Sequence, residues 1–288
     1  MTGRRTPEWE LVVDGFGRLE APCFDAVGRL CFSDMRAPGA VHRLEPDGRV
    51  TTLHDRSHVG GMVPHADGGL VATGSTVAVL TEDGTTRVVM EHPVGLEGGW
   101  GFNDLTTDSE GNVYVGMHGE VPTGGLPTVT ASLWRIAPGG VVTHCYDGIQ
   151  LTNGIGISPD GARLYHNDTA INTVWVSDLD DEGLPHDRRP HHVLEHGSPD
   201  GMTVDEEGGV WIAAIGAGVI VRVAPDGDVD LVLDAPRAYV ASACFGGDDG
   251  RDLYCVTFGG DHYDSEHSGG VFRTRVDVAG APITPARV

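Results

Sequence analysis

Six short apolar runs, each launched by a glycine, recur along the chain at a nearly constant spacing. They are "GRLCFSD" from Gly28, "GGLVATG" from Gly68, "GNVYVGM" from Gly111, "GARLYHND" from Gly161, "GGVWIAA" from Gly208 and "GRDLYCVT" from Gly250. The steps between these glycines are 40, 43, 50, 47 and 42 residues. A period of about 40–50 residues is that of a four-stranded propeller blade. Each run follows a tight turn ("DAVG", "HADG", "DSEG", "SPDG", "DEEG", "GDDG"), where glycine supplies the positive φ that a short hairpin needs. A third strand follows, often with a second turn, as in "VHRLEPDG" and "VIVRVAPDG".

No such unit can bury its faces alone, so the units must stack around an axis. The expectation is an all-β chain: a six-bladed β-propeller with four-stranded blades around a central channel, as a single domain over residues 1–288. The early strand "WELVVDG", residues 9–15, is expected to close the last blade. The charged stretch "LDDEGLPHDRRPHH", from Leu179 to His192, reads as an outer solvent loop. No apolar run keeps a helical period long enough to rival this reading.

Charge narrows the partners. With 19 basic and 42 acidic side chains the formal charge is −23, which repels nucleic acid and anionic lipid. All the basic residues are arginine, so Schiff-base lysine chemistry and the P-loop lysine are excluded. The segment "MTGRRTPEWE" lacks a signal-peptide apolar core, and no run of about 18 apolar residues exists to span a bilayer. Five cysteines without a C-x-x-C pair read as reduced thiols. A cytoplasmic protein, monomeric, with a small-molecule partner and neither nucleic acid nor membrane, is the expectation.

The turn glycine also serves as a ruler. Eight residues before each lie Glu20, Gly60, Asn103, Asn153, Asp200 and Ser242. Four of the six carry strong oxygen donors at one register. The first strand of a propeller blade lines the channel, so these positions form a ring. Taken singly, an Asn before Gly suits a turn and an acid can cap one. Four donors at one register instead suggest a cation, which would remove the mutual repulsion of Glu20 and Asp200. Carboxylate and amide oxygens suit one divalent ion such as Ca²⁺, Mg²⁺ or Mn²⁺, with Zn²⁺ left open. Gly60 and Ser242 are expected to leave room for water or substrate.

At these residues the chain resembles the SMP-30 (regucalcin) / gluconolactonase / luciferin-regenerating-enzyme-like family. The matching stretches are "LEAPCFDAVGRLCFSDM", "FNDLTTDSEGNVYVG", "LTNGIGISPDGARLY", "SPDGMTVDEEGGVWIA" and "ACFGGDDGRDLYCV", in the family's order. The resemblance implies a six-bladed propeller with one axial divalent metal on Glu20, Asn153 and Asp200. Asn103 would hold substrate or a metal-bound water, and the activity would be lactone hydrolysis, often of sugar lactones. In one place the chain departs. Sugar-lactone members often carry an arginine in an "RxND" stretch to hold substrate hydroxyls; here "GWGFND" puts Gly101 in that place. Trp100, Phe102, Met117 and Met202 surround the matched positions, so a less polar lactone or ester is equally expected.

The metal would polarise the lactone carbonyl and acidify a water. Asp200 is the candidate general base, and Asn103 the donor to substrate or oxyanion. The insertion from His118 to Thr130 reads as a shaped loop, with His118 and Glu120 as further substrate candidates beside Trp100 and Met202. His166, His262 and His267 are lesser candidates to approach the channel. No G-x-S-x-G elbow and no zinc-type histidine pattern occurs. Two other functions compete: a metal-dependent lyase, isomerase or cyclase, and a non-catalytic calcium-binding protein.

Overall fold

In the computed structural model, residues 3–36, 38–93, 101–119, 129–259 and 269–288 are described. Two strands open the chain, β1 (Gly3–Arg5) and β2 (Glu10–Phe16). Three four-stranded sheets follow. The first holds β3 (Leu19–Phe24), β4 (Leu30–Asp34), β5 (Ala40–Leu44) and β6 (Val50–Asp55). The second holds β7 (Met62–Pro64), β8 (Leu70–Ala72), β9 (Thr76–Leu80) and β10 (Thr86–Glu91). The third holds β11 (Phe102–Thr107), β12 (Val113–Met117), β13 (Ala131–Ile136) and β14 (Val142–Ile149).

The fourth sheet is built from β15 (Thr152–Ile157), β16 (Arg163–Asp168), β17 (Thr173–Leu179) and β18 (Pro185–Val193). The fifth has β19 (Ser198–Val204), β20 (Val210–Ile215), β21 (Val219–Val223) and β22 (Val229–Asp234), with β1 added parallel to β22. The sixth joins β23 (Val240–Gly246), β24 (Asp252–Thr257) and β25 (Gly269–Arg275) to β2, which pairs antiparallel with β25. Six such meandering blades define the fold class, a six-bladed β-propeller.

The chain divides into two compact units of three blades each. One comprises Met1–Leu19 with Asn153–Pro282, the other Glu20–Thr152 with Ile283–Val288. In the second unit, Val41, Met62, Ala72 and Leu80 fill the space between the first two sheets, and Val63, Val79, Leu105 and Val115 that between the next two. In the other, Tyr165, Val174, Ile212 and Val221 pack one interface, and Trp211, Ile220, Leu253 and Phe272 the next.

One expectation is corrected. The charged run Leu179–His192 is no solvent loop throughout, because Pro185–Val193 forms β18 and pairs with β17. An outermost strand is wetted along its free edge and draws its stability from ladder hydrogen bonds, so it needs no alternating apolar pattern.

The turn after each inner strand explains the "DxxG" pattern. Asp25 Oδ1 accepts from Val27 N (3.1 Å) and Arg29 N (2.8 Å). Asp108 does the same for Glu110 N and Asn112 N, both at 3.0 Å, and Asp205 for Glu207 N (3.0 Å) and Gly209 N (2.8 Å). The closing glycines, Gly28, Gly111 and Gly208, have φ of 82°, 81° and 84°. All five cysteines are free thiols. Among the described residues no helix is long and apolar enough to cross a membrane.

Candidate functional site

The ring register falls at the start of the inner strands, five residues before the turn aspartates. At this end the ladders open. In β11, Phe102 pairs with Met117 and Leu105 with Val115, so Asn103 and Asp104 together face one partner residue. In β19, Pro199 pairs with Ala214 and Met202 with Ile212, so Asp200 and Gly201 form the equivalent bulge. Bulges re-aim side chains, and here they release the ring residues from the regular alternation of the sheet. Beside Glu20 the backbone bends in another way. Ala21 adopts φ 51°, a left-handed conformation that a residue with a Cβ seldom takes.

In the unit that begins at Asn153, two ring residues are side by side. An ideal Cβ on Gly154 would lie 2.7 Å from Asp200 O, 2.7 Å from Met202 N and 2.8 Å from Asn167 Nδ2. Asn153–Gly154 is therefore not a turn; the glycine lets β15 approach β19. Asp200 is buried, and its backbone oxygen accepts from Asn167 Nδ2 at 2.7 Å. Asn153 Nδ2 donates to Thr169 Oγ1 at 3.2 Å, and Thr169 Oγ1 donates to Pro199 O at 2.7 Å. These bonds tie back the amide nitrogen, and no described residue donates to Oδ1. Ser242 fills the space over Gly201, where a Cβ would strike its hydroxyl.

In the other unit Glu20 is buried at the start of β3. Asn103 Nδ2 donates to Thr152 O at 2.8 Å, which leaves its second hydrogen uncommitted, and its Oδ1 occupies the place where a Cβ of Gly60 would be. The space at Gly60 is thus filled by Asn103, not kept for water or substrate as the sequence suggested. Gly61 makes the same concession to Asp104, whose Cα and Oδ1 would each sit 2.9 Å from its Cβ. Asp104 Oδ1 accepts from Leu105 N at 3.0 Å, no positive group offsets the burial, and desolvation pushes the carboxyl up to about 7.

Gly101 has a structural reason of its own. A Cβ there would lie 2.7 Å from Ser75 O and 2.8 Å from Gly74 O, and Gly74 O accepts from Phe102 N at 2.8 Å. Backbone packing excludes any side chain at that place. His118 is buried, donates from its backbone N to Gly101 O at 3.0 Å, and is pushed down to about 4 by desolvation, so it is neutral at pH 7. His166 is fully buried and is lowered to about 3 for the same reason. Met202 packs in the core between β15 and β19, with Tyr165 and Val204. Trp100, Glu120, His262 and His267 lie outside the described residues.

Sequence reasoning missed Asp104, Asn167 and Thr169. Asp104 left a signal. One residue after the ring register stand Ala21, Gly61, Asp104, Gly154, Gly201 and Ala243, and Asp104 alone is not small. Asn167 and Thr169 act across blades, and nothing local marks them.

Six four-stranded blades, with carboxylate and amide side chains near the start of several inner strands, define the class as a six-bladed β-propeller. The particular family follows from comparison: residues 20–259 match the SMP-30/gluconolactonase/LRE-like region, and the chain belongs to this family. It is similar to a pentonolactonase of Haloferax volcanii, 32% identical over 276 residues, covering 88% of this chain and 89% of that protein. A 6-deoxy-6-sulfogluconolactonase of Pseudomonas putida is 32% identical over 265 residues, covering 87% and 88%. In fold it matches a calcium-binding protein, regucalcin, of Agrobacterium tumefaciens, with a TM-score of 0.86 over 100% of both chains at 21% identity.

Proposed function

We propose that this protein is a divalent-metal-dependent hydrolase that opens a lactone or a related ester. The observation that carries the reading is Asn153: its amide nitrogen is anchored to Thr169, no described residue donates to its carbonyl oxygen, and the next residue, Gly154, packs against the Asp200 backbone. An amide so oriented serves as an oxygen ligand. Family membership and the lactonase names of two relatives supply the reaction class.

Glu20, Asn153 and Asp200 would hold the ion. Two carboxylates and an amide fit a hard cation, Ca²⁺, Mg²⁺ or Mn²⁺, better than a thiophilic one. Among the described residues no three His, Cys, Asp or Glu side chains are grouped to hold a metal, so the amide is needed to complete the set. When bound, the ion supplies Lewis-acid polarisation of the ester carbonyl and lowers the pKa of water. Asp200 takes the proton from the attacking water as general base. Asn103 donates its uncommitted Nδ2 hydrogen to the substrate oxygen. Asn167 positions the Asp200 backbone, and Thr169 positions the Asn153 amide. Gly101 removes one donor for substrate hydroxyls, which relaxes selection for a sugar at that point.

The test is proton release from sugar and non-sugar lactones by metal-stripped protein, with each divalent ion restored in turn. Hydrolysis should appear only with an ion and vanish in Asp200→Asn. Ion binding without turnover of any lactone would overturn the hydrolase reading and favour a non-hydrolytic reaction or a calcium-binding role.

A further inference from the structure

Among the described residues Arg56 is a cation without a counter-ion, in a chain where acids outnumber bases 42 to 19. Its side chain reaches from the end of β6 to the connection between β8 and β9. Nε donates to Thr73 O at 2.8 Å, and Nη2 donates to Thr76 O at 2.6 Å and to Thr76 Oγ1 at 3.0 Å. Those bonds commit three of the five guanidinium hydrogens. The two on Nη1 bind no described residue, and the atom is not sealed from solvent. Burial acts on this group with no opposing carboxylate and lowers its pKa. Arg222 shows the usual arrangement for a buried guanidinium: Asp205, Glu207 and Asp230 all pair with it. A partly desolvated charge left unpaired is costly, and an anionic ligand removes the cost.

The position of Arg56 ties it to the candidate site. Thr73, whose carbonyl holds Nε, also receives Gly60 N (3.2 Å) and Gly61 N (2.9 Å) on its hydroxyl. Gly74, against which the guanidinium packs, accepts from Phe102 N, the residue before Asn103. The β8–β9 connection is also the wall that forbids a side chain at Gly101. The same packing that removes a donor at 101 therefore carries a different arginine, held by backbone carbonyls with one amino group outward.

We propose that Arg56 binds an anionic substituent of the substrate, a carboxylate, sulfonate or phosphate remote from the lactone carbonyl, and so selects acidic lactones. The inference rests on the lactonase reading for its reaction but not for its binding test. A guanidinium suits oxyanions through charge-assisted N–H···O bonds, and Nη1 has a hydrogen to offer to such a group.

The experiment compares binding of glucarate and gluconate to the metal-loaded protein by calorimetry. The two ligands differ by a second carboxylate at the far end, and repeating the comparison in the Arg56 variants separates what Arg56 adds from what the metal adds. The wild type should bind glucarate about tenfold more tightly, Arg56→Met should abolish the difference, and Arg56→Lys should keep part of it. The preference should also shrink with added salt. If Arg56→Met does not fold, Arg56→Lys carries the same comparison. Equal binding of the two ligands, a preference insensitive to salt, or an equal loss for both in Arg56→Met would overturn the proposal. Kinetics then separate the two readings. If no lactone is turned over, the hydrolase reading fails while the glucarate preference still decides the role of Arg56. If gluconolactone is turned over, Arg56→Met should raise KM for glucarolactone about tenfold more than for gluconolactone.

Discussion

Asp200 and Asp205 stand at opposite ends of one inner stretch, five residues apart, and they are used in opposite ways. Asp205 is fully buried and bonded to protein all round: Glu207 N and Gly209 N on one oxygen, Trp211 Nε1 (2.7 Å) and Arg222 Nε (2.6 Å) on the other. Asp200 is also buried, but it sits in a bulge at the open end of the ladder, against Gly154. The same pairing recurs as Glu20 with Asp25 and Asn103 with Asp108. Turn-end acids build the blade, whereas the start-end oxygens are those that the proposed function assigns to a ligand.

Substitution should separate these roles. Asp200→Asn is expected to reduce lactone hydrolysis roughly a thousandfold, the range of a general base, with little change in melting temperature. Asp205→Ala should do the reverse. It removes the buried acceptor of Arg222 Nε and the Trp211 N–H, costing about 3–5 kcal/mol in denaturant unfolding while the folded fraction keeps its kcat/KM. If both variants lose stability alike, the two ends are not functionally distinct.

Gly101→Ala sharpens the comparison on the start side. Its Cβ meets two backbone oxygens, so the cost should be about 1–3 kcal/mol by thermal unfolding. A variant as stable as wild type would show that the packing account of the missing arginine is wrong.

Asp104 gives the smallest effect and a pH signature. Its folded pKa is about 7 against an ordinary 3.8, so the neutral form is the one the fold accommodates. Stability from this group is full below about pH 4 and is lost as pH rises through about 7. Asp104→Asn should therefore be more stable than wild type by about 1–2 kcal/mol at pH 8, after allowance for solvent screening, and nearly equal to it at pH 4. Unfolding curves at the two pH values check the sign.

The turn end was legible from sequence because its cause is local. A carboxylate caps the next backbone N–H groups and a glycine closes the turn, so "DxxG" states both requirements within four residues. The ring register was legible because the blade repeats. Less legible were features that depend on neighbouring strands. Gly60 and Gly154 look like slack or a turn in sequence, yet each is a glycine because the next blade's ring residue presses against it. The bulges at Asn103–Asp104 and Asp200–Gly201 leave no compositional trace, and β18 is polar because only its backbone is needed. Arg56 carried no signal at all, since its lack of a counter-ion is a property of the folded surroundings.

The central claim is that the oxygens at the start of the inner strands hold a hard cation, and the most direct measurement is calorimetric titration of the metal-stripped full chain with Ca²⁺, Mg²⁺, Mn²⁺ and Zn²⁺. The account predicts one ion per chain, weakened about tenfold or more in Asn153→Ala and lost in Asp200→Ala, with Asp205 variants that remain folded binding as wild type. No bound ion, or an ion held equally well after both ring substitutions, would contradict it.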